Sequence, residues 1–386
     1  MTDMCQLESP HASFRAMEFA AANSLAYFDH ASDSPLPAKS FRVIAERTLL
    51  LQDPSADVRS REDYLASAKE RLGRLLNTDA DQFAFLTNIS DATATIANGL
   101  DWRPSDEIVI LRGEFASFVY PWRNLRDRQV GVKFVERGST LAVDLNQIDA
   151  AIGPSTRVVA ISHVEFESGL RHDLAAISAI AHSRNAIFVV DASQSLGVLP
   201  IDIAHEGIDV LVSVGYKWLM SPHGISVLYV GRHVMDRIAP SVPGRYSVNA
   251  GWETSEYPLD WLPNAERYQG GALNWLGLCA LSESLGLTTE VGIGAIHVTS
   301  KLVTGRILDE LDALGIEVTS NREPDCRSAI LSFTLGSPER DAACVETGRK
   351  HGIFFGHRRH GIRVGAHFWN NSTDVDRLIE HIRDCR

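Results

Sequence analysis

Short apolar runs between residues 82 and 230 alternate with longer segments that carry apolar residues at helical spacing. The runs are QFAFL (82–86), EIVIL (107–111), RVVAIS (157–162), AIFVV (186–190), DVLVSV (209–214) and ISVLYV (225–230). Their length and their content of Val, Ile and Phe predict β-strands. Between the third and fourth runs, DLAAISAIAHSR (173–184) predicts a helix that crosses over between parallel strands. We therefore predict an α/β fold with a mostly parallel sheet.

The last third of the chain has a different pattern. Residues 240–271 are rich in Pro, Gly, Tyr and Trp and have no clear period, which predicts an irregular connection of the kind that is often functional. Helical patterns follow over residues 273–314, then the strand-like run RSAILSFTL (327–335) and a helix. The run GIRVGAHF (361–368) and a last helical segment complete the chain. This mixture predicts a second, smaller α+β domain.

The composition excludes several classes of function. Of 386 residues, 45% are hydrophobic and 22% are charged, as in an ordinary globular protein with a large core. A formal net charge of -12 and the lack of a basic run argue against a nucleic-acid partner. No stretch approaches the roughly 18 apolar residues of a membrane span, and the first residues lack the order of a secretory signal. We therefore expect a cytoplasmic protein without a membrane partner.

Five cysteines are scattered along the chain, namely Cys5, Cys279, Cys326, Cys344 and Cys385. They form no CxxC pair, and the sequence shows no cluster of histidines near them. This spacing predicts neither a disulfide framework nor a structural zinc site. We expect free thiols and no metal.

The strongest chemical signal is a carboxylate and an amine at two neighbouring strand ends. Asp191 ends the run AIFVV in VVDASQSLG (189–197), and Lys217 follows the run DVLVSV in GYKWLMSPHG (215–224). Open α/β sheets bind ligands at the carboxyl ends of their strands. A carboxylate that keeps a pyridine nitrogen protonated and a lysine that forms a Schiff base are what pyridoxal phosphate requires. The alternatives are a turn-capping aspartate and a surface lysine, although Lys217 stands between Tyr216 and Trp218.

Six segments in order resemble the class V aminotransferase family of the cysteine desulfurase, kynureninase and isopenicillin epimerase kind. They are YFDHASDSPLP (27–37), EFASFVYPW (114–122), SHVEFESG (162–169), DASQSLGVLPID (191–202), GYKWLMSPHG (215–224) and GIRVGAHFWNN (361–371). The resemblance implies a fold-type I pyridoxal phosphate transferase that takes a small-molecule amino-acid substrate. It also implies a homodimer with active sites at the subunit interface.

The same resemblance implies a domain division. Residues 1–25 form an N-terminal arm that packs with the small domain. Residues 26–250 form the large cofactor-binding domain, and residues 251–386 form the connection and the small C-terminal domain.

By resemblance, further residues contact the cofactor. Gln194 corresponds to the residue that hydrogen-bonds the phenolic oxygen of the ring, and Phe115 to the residue that stacks on the ring face. Ser90 matches the first of two phosphate-binding hydroxyls, at a predicted helix N-terminus in LTNISDATATIANGL (86–100). Asp91 stands where the second hydroxyl is usual, and Tyr216 replaces a phosphate-contacting histidine. A plain helix cap at Ser90 and a core position for Phe115 are the alternatives.

Arg363 aligns with the arginine that grips the substrate α-carboxylate across the family. A guanidinium forks onto a carboxylate with two parallel hydrogen bonds, which fixes orientation as well as affinity. Because Arg363 lies between Ile362 and Val364 on a predicted strand, it must face an acidic group, and a structural salt bridge is the alternative role.

The chain departs from the desulfurase pattern at three places. The region GIFFGHRRHGIRV (352–364) is short and has no cysteine, and Cys344 falls within a predicted helix, which disfavours persulfide transfer. Phe166 stands where desulfurases place an asparagine near the ring. Ala272, in GGALN (270–274), replaces the threonine that binds the phosphate of the neighbouring subunit.

Three classes of function therefore compete. We expect an aminotransferase-like enzyme with Lys217 as its catalytic residue, and a C–S or C–C lyase or an epimerase on the same scaffold is the alternative. A non-catalytic binding protein that kept the fold is suggested by Asp91, Val214 and Ala272. A nucleotide-binding oxidoreductase lacks its Gly-rich fingerprint after an early strand.

Overall fold

The computed structural model describes residues 12–53, 55, 61–138, 144–249 and 255–386. Residues 1–11 of the predicted arm, including Cys5, lie outside the described residues. The strands are β1 Ala26–Tyr27, β2 Phe83–Leu86, β3 Glu107–Leu111, β4 Gly131–Val135, β5 Thr156–Ser162, β6 Ile187–Asp191, β7 Val210–Val214, β8 Ser226–Val230, β9 Glu317–Val318, β10 Ile330–Thr334, β11 Ile353–Phe354, β12 Gly356–Arg358 and β13 Gly361–Gly365. The helices are α1 Ala12–Glu18, α2 Ala38–Leu50, α3 Arg61–Leu76, α4 Ile89–Gly99, α5 Ala116–Arg123, α6 Leu145–Ala151, α7 Leu174–Ser183, α8 Arg232–Met235, α9 Trp275–Val291, α10 Ile293–Ala313, α11 Pro338–Lys350 and α12 Ser372–Asp384.

The largest described sheet has seven strands in the order β2-β8-β7-β6-β5-β3-β4. Strand β8 is antiparallel to both of its neighbours, and the other described pairs are parallel. The predicted mostly parallel sheet is confirmed. The sequence pattern did not reveal β4, because this edge strand has exposed positions and a lysine at its centre instead of a continuous apolar run.

Helices cover both faces of this sheet. Successive strand residues point to opposite faces, so Phe188 joins one core and Val189 the other. One core includes side chains of α3, α7 and α9, and the other includes side chains of α4, α5 and α8. Because both faces are buried, the carboxyl ends of the strands remain as the edge at which polar groups can meet a ligand.

The C-terminal part folds as predicted into α+β structure. A four-stranded antiparallel sheet has the order β12-β13-β10-β9, and side chains of α10, α11 and α12 pack on it in one apolar cluster. Two cysteines that were expected to be isolated lie together in the C-terminal part of the chain. Cys344 and Cys385 lie beside His381, which corrects the expectation of scattered thiols; the contact joins two helices and leaves no spacing signal in the sequence.

The described N-terminal residues contact the C-terminal part of the chain. Strand β1 pairs with β11 in parallel, and the Arg15 guanidinium donates to both carboxylate oxygens of Asp374 at 2.5 and 3.0 Å. Phe19 stacks on Trp369 with ring centroids 4.9 Å apart. These contacts support the predicted packing of the arm, while the domain limits stay a prediction. In the described part of the chain, no helix has the length and apolarity needed to cross a membrane.

Candidate active site

The centre of the site is a buried pair at the ends of two adjacent strands. Asp191 is the last residue of β6, and Lys217 follows the end of β7 by three residues. Strands β6 and β7 pair in parallel, so both carboxyl ends reach the same sheet edge. Asp191 is 5% exposed and Lys217 is 8% exposed. The chain therefore holds one acid and one base out of water at the place where this fold binds ligands.

The two turns that carry these side chains pack closely. Gly197 adopts a φ of +101°, and a Cβ at this position would lie 2.6 Å from the carbonyl oxygen of Trp218. Met220 adopts a φ of +50°, in the left-handed region that non-glycine residues rarely occupy, and its amide donates to the Lys217 carbonyl. A strained backbone conformation of this kind persists only where the surrounding structure holds the turn in place, and such turns are common at functional sites.

Burial sets the electrostatics of the pair. It lowers the pKa of Lys217 to about 8, against the opposing influence of Asp191 and with further lowering by Arg363 and Arg358. Burial also raises the pKa of Asp191, while hydrogen bonds from Ser193 and the charge of Lys217 act in the other direction. Lys217 therefore becomes a neutral nucleophile at a lower pH than an ordinary lysine.

A cavity of about 360 Å³ opens above this pair. All seven residues predicted to bind the cofactor line it: Ser90, Asp91, Phe115, Asp191, Gln194, Tyr216 and Lys217. Phe166, one of the positions that depart from the desulfurase pattern, also lines the cavity, as does Val214. The structure thus brings together residues from five separate segments of the sequence.

Gln194 is held at both ends of its amide. Its Nε2 donates to the Ala31 carbonyl at 2.9 Å, and its Oε1 accepts from the Trp218 indole at 2.8 Å. An amide nitrogen carries a second N–H, which leaves Gln194 one donor for the cavity that it lines. Its orientation is fixed before any ligand enters.

The aromatic residues form one side of the cavity. The ring of Phe115 lies edge-on to Phe166, with centroids 5.3 Å apart, and the Lys217 Nζ lies 5.5 Å from the Phe115 centroid. Phe115 is still 41% exposed, so it has room to accept a planar ring. Tyr216 stacks on His223 at 4.0 Å, and burial raises its pKa.

The first turn of α4 forms the opposite end of the cavity. Asn88 caps this helix, its Oδ1 accepting from the Asp91 amide at 3.0 Å. Ile89 and Ser90 line the cavity at this terminus, where free amides and the helix dipole favour an anion. The predicted helix N-terminus is confirmed. Ser90 and Asp91 are exposed, in contrast to the buried pair at the other end.

Arg363 is buried on β13 beside the cavity. Its Nη1 donates to the Phe166 carbonyl at 2.5 Å, its Nη2 donates to Ser32 Oγ at 2.7 Å, and Asp29 lies 3.6 Å away. The expected acidic neighbour is therefore present. The Nε of Arg363 is buried without a hydrogen-bond partner among the described residues. A buried donor without a partner favours a ligand that can accept from it.

A second guanidinium, which sequence reasoning missed, lies beside the first. Arg358 also donates to Ser32 Oγ. The register of the β12–β13 hairpin pairs Gly356 with Arg363, so Arg358 lies on the same face two residues on. A Cβ at Gly356 would lie 3.1 Å from an Asp29 carboxylate oxygen, so the glycine leaves room for Asp29 beside the two arginines. Burial and Arg358 lower the pKa of Arg363 to about 9, so it stays charged at neutral pH.

A buried acidic cluster, also missed, lies behind the cavity wall. Glu114 accepts from the amide and hydroxyl of Ser162, and burial raises its pKa to about 8. Burial also raises the pKa of Glu165 to about 7, although Arg137 lies 2.6 Å from it. Glu114 thereby fixes Ser162, a lining residue. Neither their spacing nor their local pattern in the sequence indicates this contact.

Comparisons with known proteins agree with this geometry. A probable cysteine desulfurase of Methanothermobacter thermautotrophicus is 28% identical, over 93% of this chain and 94% of that protein. An isopenicillin N epimerase of Streptomyces clavuligerus is 26% identical, over 90% of this chain and 92% of that protein. A solved cysteine desulfurase from Thermococcus onnurineus shares the fold, with a TM-score of 0.86 and 22% identity over 96% of this chain and 97% of that one.

The family model described as class V aminotransferase matches residues 27–378, which is most of the chain. The match spans both the large sheet with Asp191 and Lys217 and the smaller sheet with Arg363. It confirms the predicted fold type, and it agrees with the pairing of a buried lysine and carboxylate that the structure shows. The chain therefore belongs to the class V aminotransferase family.

Proposed function

We propose that this protein is a pyridoxal phosphate enzyme that transforms amino acids at the α-carbon, with transamination as its leading reaction. The observation that carries the proposal is the buried Asp191 and Lys217 pair at adjacent strand ends. When bound, pyridoxal phosphate supplies an electron sink for charge that develops at the α-carbon. The lining residues fit it, because they offer a nucleophilic amine, a buried carboxylate, an aromatic face and a helix terminus in one cavity.

Lys217 has two roles in this proposal. Its amine would hold the cofactor, and it would move protons at the α-carbon of the substrate. A pKa of about 8 suits both roles, because the neutral amine is present near physiological pH. Asp191 keeps the ring nitrogen protonated, and Gln194 donates to the phenolic oxygen with its remaining N–H.

Arg363 and Arg358 hold the substrate carboxylate. Both guanidiniums donate to Ser32 Oγ, so an incoming carboxylate can replace one hydroxyl between two cations. The unpartnered Nε of Arg363 gains an acceptor in this arrangement. Asp29, at 3.6 Å, keeps the guanidinium oriented in the absence of substrate. A structural salt bridge and a substrate clamp are therefore compatible roles for Arg363.

Lyase and epimerase chemistry on the same scaffold are the alternatives to transamination. Cys344 packs in the small-domain core, and no cysteine lines the cavity among the described residues. This supports a reaction other than persulfide transfer. Lys217 supplies an amine in the cavity lining. Transamination requires such a group to shift a proton along one face of the cofactor.

A non-catalytic binding protein is the competing function. Asp91 and Ala272 weaken the expected phosphate contacts, but a binding protein has no need of a buried lysine with a lowered pKa. Covalent cofactor attachment without turnover of any amino acid would favour that alternative. The cytoplasmic location stays a prediction from the sequence.

We also propose a homodimer whose interface covers the phosphate end of the cavity. Tyr120 is 67% exposed and Val242 is 74% exposed, and each lies in a surface depression that also includes Asp91. Exposed apolar residues of this size mark association surfaces when they group together. Sedimentation that finds only monomers of the cofactor-bound protein at micromolar concentration would contradict the dimer.

The experiment that tests the function is a panel of amino acids incubated with the purified protein. Pyridoxamine phosphate with the matching keto acid indicates transamination. Released sulfide or a cleaved side chain indicates a lyase, and an inverted amino acid indicates an epimerase. Borohydride reduction and peptide mapping should place the cofactor on Lys217, and label on another lysine would contradict the assignment.

A further inference from the structure

A cluster of soft ligand atoms lies in the small domain, away from the proposed active site. Cys344 is on α11, His381 is on α12, and Cys385 directly follows α12. The two Sγ atoms and a ring nitrogen lie within 4.8 Å of one another. The His381 Nε2 lies 3.4 Å from the Cys385 Sγ. Cys344 is 1% exposed, and His381 is also buried.

This donor set suits a particular class of metal. Two thiolates and an imidazole are the ligands that Zn²⁺ prefers, with Zn–S near 2.3 Å and Zn–N near 2.1 Å. In a tetrahedral site, those bond lengths place two sulfurs about 3.8 Å apart and a sulfur about 3.6 Å from the nitrogen. The observed separations match this geometry to within about 1 Å. The side chains therefore need little movement to close on an ion.

The surroundings provide a fourth position and a route of entry. The Thr347 Oγ1 lies 3.5 Å from the His381 Nε2 and 3.9 Å from the Cys385 Sγ. Its hydroxyl, or a water in its place, can complete the shell. Cys385 is partly exposed, so an ion can arrive from solvent.

We propose that Cys344, His381 and Cys385 form a zinc-type site that clips α11 to α12. In the described structure, the His381 Nε2 contacts the Cys344 carbonyl at 2.9 Å, and the imidazole gives up this hydrogen bond when the nitrogen binds the ion. Binding moves the imidazole proton to Nδ1, and the two thiols release their protons to solvent as the metal–sulfur bonds form. No redox step is involved. The ion would stabilise the small-domain sheet that carries Arg363, without contact with the cofactor cavity.

The test uses the reduced, cofactor-bound protein after treatment with a chelator. Titration with Co²⁺ should give one equivalent per chain and the absorption bands of tetrahedral thiolate coordination, at wavelengths longer than those of the cofactor. Zn²⁺ should then displace Co²⁺ and raise the melting temperature, since an ion that binds the folded state stabilises it. Cys385→Ser and His381→Gln should each lower the affinity at least tenfold.

Cys326→Ser is the matched control, because Cys326 is a partly exposed cysteine outside the cluster. It should bind Co²⁺ as the parent protein does. If Cys344→Ser fails to fold, Cys385→Ser still tests the proposal, because Cys385 is partly exposed. Octahedral Co²⁺ bands, or equal affinity in the parent and in Cys385→Ser, would overturn the proposal. A Cys344 to Cys385 disulfide that persists in the reduced protein would also overturn it.

Discussion

The two ends of the cofactor cavity are built differently. At the ring end, Asp191, Gln194 and Lys217 are buried, and their positions are fixed by hydrogen bonds and close turns. At the phosphate end, Ser90 and Asp91 are exposed on the first turn of α4. One chain thus buries the groups that are proposed to carry the chemistry, whereas the groups that are proposed to hold the phosphate are exposed.

The difference follows from what each end must do. A lowered lysine pKa and a charged ring partner require exclusion of water, which burial in a single sheet edge provides. Phosphate can be held by amides and a helix dipole at an exposed terminus. A neighbouring subunit can supply further phosphate contacts at such an exposed end. We therefore expect changes at the ring end to abolish chemistry and changes at the phosphate end to adjust cofactor affinity.

The largest effect is expected for Lys217→Ala. The variant should bind the cofactor non-covalently but lose turnover by about four orders of magnitude, because one amine supplies both the covalent link and the proton transfers. The turnover rate with the best amino acid of the panel is the measurement. Lys69→Ala is the control, since Lys69 is also buried but pairs with Glu266 outside the cavity. Unchanged turnover in Lys217→Ala would show that Lys217 has no part in the reaction.

Asp191→Asn should lower turnover by a hundredfold or more. Breaking a buried charge pair costs about 3–5 kcal/mol, and the amide cannot hold the ring nitrogen protonated. Asp209→Asn is a close control, because Asp209 is a buried carboxylate near the opposite end of the same strands, where it contacts His182 and His233. Its loss should affect melting temperature and leave turnover per folded molecule near that of the parent. Equal losses in both variants would contradict a chemical role for Asp191.

Arg363→Ala should weaken substrate binding by about ten- to a few hundredfold, the equivalent of one charged hydrogen bond of roughly 1.5–3 kcal/mol. Cofactor occupancy should stay unchanged, because Arg363 contacts Ser32 and Phe166 and does not line the phosphate end. Titration with an amino acid and with its decarboxylated analogue separates the two effects. Equal affinity of the parent protein for both compounds would refute the role.

At the phosphate end, Asp91→Asn should raise cofactor affinity severalfold. The substitution removes a negative charge from the turn that is proposed to meet the phosphate dianion, and the gain should shrink as salt screens the interaction. Dissociation constants of the cofactor at two ionic strengths are the measurement. Asp127→Asn, an exposed acid outside the lining, should leave the affinity unchanged. A loss of affinity in Asp91→Asn would show that the acid supports the helix terminus more than it repels phosphate.

The sequence predicted the ring end better than the rest of the site. Asp191 ends one mainly apolar strand and Lys217 lies three residues beyond another, so their position near strand ends could be inferred from local pattern alone. The arginine clamp has no such signal, since Ser32 and Arg363 are 331 residues apart in the chain. Arg358 could have been inferred from strand alternation with Arg363, but the hairpin was not recognised. Its strand β12 is three residues long and has a glycine at its start.

The cysteine cluster and the edge strand were missed for related reasons. Cys344 and His381 meet across two helices, and a contact between elements leaves no periodicity in the sequence. Strand β4 lies at the sheet edge with exposed positions, so its pattern lacks the apolar run by which the buried strands were recognised. Local pattern thus predicts buried elements, whereas tertiary contacts require the fold.

The smallest expected effect is a shift in the pH at which the cofactor-free protein captures pyridoxal phosphate. Lys217 reacts as the neutral amine, so the capture rate should rise with pH up to about 8 and then level off. The positive charge of Arg358 lowers the pKa of Lys217, and its removal must raise it. The midpoint should therefore move to higher pH in Arg358→Gln.

A second variant should shift the pH midpoint in the opposite direction, which makes the prediction more specific. In Asp191→Asn, the midpoint should move to lower pH, because the carboxylate stabilises the ammonium form of Lys217. Arg359→Gln serves as the control, since Arg359 is the adjacent exposed arginine. Stopped-flow absorbance at each pH gives the midpoint. A downward shift in Arg358→Gln, or the same shift in both arginine variants, would mean that the hairpin arginines do not act on the ring end, and the ring end would then depend on burial and Asp191 alone.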